Sequence, residues 1–187
     1  EYLGLISLYT TIVSFLSLTE LGLTTAIIYF LYKPVSTGDE GKIRAYLSFY
    51  KKVYFVIAGV IMLLGVALIF VIPFIANTTV EMKSVQFYFI LYVFNTAVSY
   101  LIAYKKCIIY ADQRSRVVSV CHAVTKIAFT VLQIVLLLIT KSFLIFILLM
   151  IACTIADNFA CAIYADKKCP FIRKKADEKL SPEELKE

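Results

Sequence analysis

Charge is what this 187-residue sequence has little of: 17% of its residues are Asp, Glu, Lys or Arg, against 61% hydrophobic. A soluble domain carries about 25% charged and about 45–50% apolar residues, so an ordinary water-soluble enzyme is excluded. Glycine and proline are sparse as well, at 6 and 4. Apolar stretches therefore run for about 20 residues at a time, the length of a membrane-crossing helix. The short alternating segments of a transmembrane barrel are missing.

The chemical inventory is equally thin. With one histidine and five cysteines, no pair has metal-ligand spacing. Cys121, Cys153 and Cys161 fall in apolar stretches, and Cys107 and Cys169 stand beside lysines. They read as small hydrophobic side chains in a membrane or a reducing cytoplasm, and not as a disulfide framework. There is no phosphate-binding glycine loop and no Ser/His/Asp order. The expectation is a protein that is not an enzyme, holds no cofactor or metal, and is not an ATP-driven pump.

What is present is a mean hydropathy of +0.85, arranged as an all-α integral membrane bundle. Five transmembrane helices are expected over about 3–33, 45–76, 85–104, 117–140 and 143–165, within a bundle covering 1–166. A charged segment, 167–187, follows. Pro34 is expected to close the first helix, and Lys141-Ser142 to form a tight turn.

Charge placement gives an orientation. All of the 19 basic residues except Lys83, Lys126 and Lys141 fall after the first, third or fifth helix or in the opening turns of the second. By the positive-inside rule those regions are cytoplasmic. Tyrosines such as Tyr29, Tyr32, Tyr46, Tyr104 and Tyr164 flank them, as an interfacial aromatic belt does. The first helix then enters from outside, so a leading helix is expected to precede it. The sequence begins at Glu1 in an apolar segment, which fits a piece of a larger protein.

A few polar residues interrupt the apolar runs. Counted at about 1.5 Å per residue from the basic end of each helix, Glu20, Asn95, Lys126 and Asp157 lie in one layer near the midplane. His122 lies nearer the basic end and Gln133 nearer the opposite one. Two readings stand side by side: a hydrated cavity in which Lys126 faces an anionic group, or a helix tie in which Lys126 pairs with Glu20 or Asp157. Tyr46, Tyr50 and Tyr54 recur at i, i+4 and i+8 beside Lys51 and Lys52. Tyr46, Tyr50, Lys51 and Lys52 are candidates for docking sugar rings and phosphate at the interface. An aromatic belt is the plainer reading of the same stripe.

Leu18-Thr19-Glu20-Leu21-Gly22, followed by Ala26-Ile27-Ile28-Tyr29-Phe30-Leu31-Tyr32-Lys33-Pro34, resembles the bacterial polysaccharide exporters and O-antigen flippases of the multidrug/oligosaccharidyl-lipid/polysaccharide superfamily. Phe49-Tyr50-Lys51-Lys52, Ala103-Tyr104-Lys105-Lys106, Tyr110-Ala111-Asp112-Gln113 and Ala165-Asp166-Lys167-Lys168-Cys169-Pro170 fit in the same order. The resemblance covers the chain as helices two to six of a six-helix N-terminal lobe in a two-lobe transporter. It implies a bacterial inner-membrane flippase that carries undecaprenyl-diphosphate-linked oligosaccharide from the inner to the outer leaflet for O-antigen and lipopolysaccharide assembly.

The partners implied are membrane lipids, the lipid-linked oligosaccharide, a leading helix and a C-terminal lobe, with no nucleic acid. It also implies Lys126 near the pyrophosphate, and proton or sodium coupling through Glu20 or Asp157. Two alternatives remain open at this stage: a cation-coupled drug or small-metabolite exporter of the same superfamily, and a non-transporting membrane scaffold.

Overall fold

The computed structural model describes residues 2–17, 23–75 and 81–173, and these contain helices and turns with no strand. The helices are α1 (Tyr2–Ser17), α2 (Leu23–Thr37), α3 (Glu40–Leu68), α4 (Ile72–Ile75), α5 (Met82–Leu101), α6 (Ala103–Ala111), α7 (Ser115–Thr140) and α8 (Phe143–Lys168). A 3₁₀ turn, Pro170–Arg173, follows. Among the described residues, α3, α5, α7 and α8 are long and apolar enough to cross a membrane. The chain is an all-α, multi-pass membrane protein.

The expected first helix appears as α1 and α2, with residues 18–22 between them outside the described residues; Glu20 falls there. Pro34 does not close α2 but sits inside its last turn. The ring removes the bond its own N–H would have made and crowds the carbonyl one turn back, and the turn is held by other donors. The Asp39 N–H donates to the Pro34 carbonyl (3.0 Å), and the Thr37 hydroxyl donates to Lys33 O (3.0 Å). Gly38 then takes φ +70, a left-handed value that glycine adopts without a Cβ clash.

Asp39 caps α3 by accepting the Lys42 N–H on Oδ1 (3.0 Å). The far end of the expected second helix breaks after Leu68, and Pro73 lies in the first turn of the short α4, where its missing N–H costs no helical bond. The Lys141-Ser142 turn is observed, with Lys141 left-handed and its N–H on Leu137 O (2.9 Å).

The core lies where α3 and α5 pack, with α1, α2, α6 and the end of α8 around them. Tyr9, Tyr54, Ile61, Phe89 and Val93 are buried there. Gly65 lets α3 approach α5 closely, because a Cβ at that position would overlap both methyls of Val93. Tyr9 donates its hydroxyl to Val85 O (2.7 Å), which satisfies a polar group that burial would otherwise penalise. By contrast α7 packs mainly on α8 and buries only Val118. Val117, Cys121, Phe129 and Leu136 are half-buried, and the rest of its apolar side chains face outward, as lipid-facing residues of a membrane helix do.

Candidate functional site

The expected third helix divides at Ile102, whose backbone turns to φ −114 and ψ −6. The stretch 105–116, expected as a loop, is helical as far as Ala111. It is helical because Cys107, Ile108, Ile109 and Ala111 are buried in the core. This short α6 carries Lys106 inward, and the side chain meets α8.

There the Lys106 Nζ donates to Asp157 Oδ2 at 2.8 Å. The His122 Nδ1 lies 3.5 Å from the same oxygen. Asp157 is 7% exposed, and its Oδ1 has no hydrogen-bond partner among the described residues. Asn158, also buried, donates from Nδ2 to Ser99 O on α5 at 3.4 Å. A buried carboxylate is tolerated in an apolar bundle only when cations and donors offset its desolvation. Lys106 supplies the main offset here.

These groups line a cavity of about 390 Å³ bounded by α5, α6, α7 and α8. Lys126 lines it from α7, one helical turn beyond His122, and Gln133 lies two turns further on. Gln133 also donates to Phe146 O (3.3 Å), which ties α7 to α8. Lys126 makes no ion pair with any described residue and is exposed to the cavity side. The cavity therefore holds two ammonium groups, one imidazole and one carboxylate. Its surplus of positive charge suits an anionic group, and its remaining polar lining suits hydroxyls.

The sequence expectations meet this site unevenly. Lys126 and Asp157 are brought together in one cavity, with His122 and Gln133. Of the two pairings open to Lys126, the one with Asp157 does not form, because α6 brings Lys106 to 2.8 Å from that carboxylate. Asn95 is half-buried on α5, does not line the cavity, and keeps its Oδ1 without a hydrogen-bond partner among the described residues. Glu20 lies outside the described residues. Lys106 was legible only as a loop cation, since nothing in the sequence marks the turn at Ile102.

The docking stripe divides as well. Tyr50 and Tyr54 are core residues, and the Tyr54 hydroxyl shares hydrogen bonds with Thr24 (2.9 Å) and Cys107 (3.8 Å). Tyr50 is therefore not a surface docking residue: that face of α3 is covered by α6. Tyr46 is half-buried and stacks between Phe30 and Tyr50. Lys51 and Lys52 are exposed on α3.

At the basic end, Lys105 Nζ pairs with Asp166 at 2.8 Å, and Arg114 binds Asp112 (2.7 Å) and the Tyr164 hydroxyl (3.3 Å). Burial pushes the Cys169 thiol up from its ordinary range, with neighbouring Asp112 adding to the effect. Of the expected 167–187 segment, the residues from 174 onward lie outside the described residues. Comparison with protein-family models, curated proteins and solved structures gives no match, so the flippase resemblance rests on the sequence motifs themselves.

Proposed function

We propose that the chain is part of a membrane transporter that moves an undecaprenyl-diphosphate-linked oligosaccharide from the inner to the outer leaflet of a bacterial inner membrane, for surface polysaccharide assembly. The observation that carries this reading is the cavity lined by Lys106, His122, Lys126, Asp157 and Asn158. Lys126 stands ten residues, about 15 Å, along α7 from Arg116. A lysine at mid-helix costs about 2.5–3.5 kcal/mol to insert. Lys106 already serves Asp157, so a tie to that carboxylate does not account for Lys126. An anionic cargo does.

In this reading the diphosphate meets Lys126, and the sugars meet polar groups on the two facing helices, Gln133 on α7 and Thr154 and Asn158 on α8. The basic end faces the cytoplasm, by the positive-inside rule. A photoreactive undecaprenyl-diphosphate oligosaccharide in native membranes tests it. Labelling of the wild-type chain, lost in Lys126→Gln with thermal stability retained, is the expected result. Labelling unchanged in Lys126→Gln, or lost only together with the fold, overturns the reading.

A further inference from the structure

A second groove, of about 750 Å³, opens between α2 and α3 at the basic end of the bundle and shares no lining residue with the Lys126 cavity. Two features give it a chemical character. The first is an aromatic wall: Phe30 and Tyr46 stack with ring centroids 6.4 Å apart and planes 13° from parallel. Tyr29 and Tyr32 stand outward beside them at 72% and 44% exposure. The second is charge. Lys33 and Lys42 line the groove, and among the described residues of its lining Asp39 is the one carboxylate, with its Oδ1 accepting the backbone N–H of Lys42. Lys33 is exposed and makes no ion pair with a described residue.

The order of these groups along α2 matters. The apolar run from Leu23 ends at Tyr32, and Lys33 and Pro34 follow at once. Tyrosines at such a boundary sit at headgroup level, and a lysine there reaches for phosphate while its stem lies on apolar surface. An acyl chain running along α2 would bring its own phosphate to the two ammonium groups.

We propose that this groove binds the headgroup of an anionic phospholipid, with Lys33 and Lys42 on the phosphate and Tyr29, Tyr32 and Tyr46 around the glycerol and the first acyl carbons. The site is independent of any transport function and forms at the basic end whichever membrane holds the chain.

Native mass spectrometry of the full chain, released from mixed phosphatidylcholine and phosphatidylglycerol micelles, reads the lipid retained. Phosphatidylglycerol is retained in preference. The double variant Lys33→Gln/Lys42→Gln lowers that retention by about fivefold per lysine at low salt. Tyr46→Ala lowers it with no change of charge. Lys51→Gln/Lys52→Gln removes the same charge from α3 outside the groove and leaves most of the retention in place.

Equal retention of the two lipids overturns the proposal. So do equal losses in the two lysine pairs, which would reduce the effect to general surface charge. A change in self-association with lipid retention unaltered assigns the groove to a second copy of the chain and overturns it too.

Discussion

The Lys106–Asp157 pair offers the sharpest test of the fold, because its two halves fail differently. At 2.8 Å and an effective dielectric of about 20, the attraction is about 6 kcal/mol before desolvation. Taking two charges out of water returns several of those kilocalories, so the pair itself contributes little net stability. Removing one partner is another matter, since the second stays buried and uncompensated. The side chains are 21% and 11% exposed, so the cost belongs at the low end of the range for broken buried pairs, about 3 kcal/mol.

Asp157→Asn is the worse single change, because it leaves Lys106 and Lys126 in one cavity with no carboxylate. Lys106→Met is milder, because Asp157 keeps His122 at 3.5 Å and Lys126 across the cavity. The double variant Lys106→Met/Asp157→Leu removes both charges and restores stability to within about 1 kcal/mol of wild type. For a chain of this length, about 3 kcal/mol corresponds to a fall in melting temperature of about 6–12 °C, measured by fluorescence-detected size exclusion after heating in detergent. An Asp157→Asn variant within about 2 °C of wild type refutes the reasoning. A double variant as unstable as the sum of the singles does so equally.

At Gly65 an added methyl meets Val93, so Gly65→Ala lowers stability by about 1–3 kcal/mol. Gly65→Ala/Val93→Ala recovers part of that loss, and no recovery in the same melting assay would show that the α3–α5 approach is not what the glycine serves. The Cys169 thiol, with its pKa raised by burial, is less ionised than a free thiol at any pH near 8. In a background with the other cysteines replaced, maleimide labelling of folded Cys169 is slower than that of the denatured chain, and its rate midpoint lies at higher pH. A midpoint at or below that of a free thiol contradicts the burial of this corner.

Much of the architecture was legible in the sequence because bilayer physics leaves few choices: long apolar runs must be helices, and cations gather at one end. The helix turn at Ile102 was not legible. No proline or glycine marks it, and it exists because Cys107, Ile108 and Ile109 pack into the core in a direction that α5 alone could not reach. The Lys106–Asp157 pair inherits that illegibility. Asp157 and Lys126 were found because a charge within an apolar run stands out wherever the chain goes. Tyr46, Tyr50 and Tyr54 show the limit of periodicity. Their spacing gave a common face correctly, but which neighbour covers that face is decided by α6, and burial takes Tyr50 and Tyr54 while sparing part of Tyr46.

One wall of the charged cavity is α7, a 26-residue helix with a single buried residue. Its long seam is with α8, and only its first turns, at Val117, Val118 and Cys121, reach the main core beside α6. The wall that carries His122 and Lys126 is thus the part of the bundle that the core constrains least, and the charge of the cavity is set by the helix with the least packing of its own.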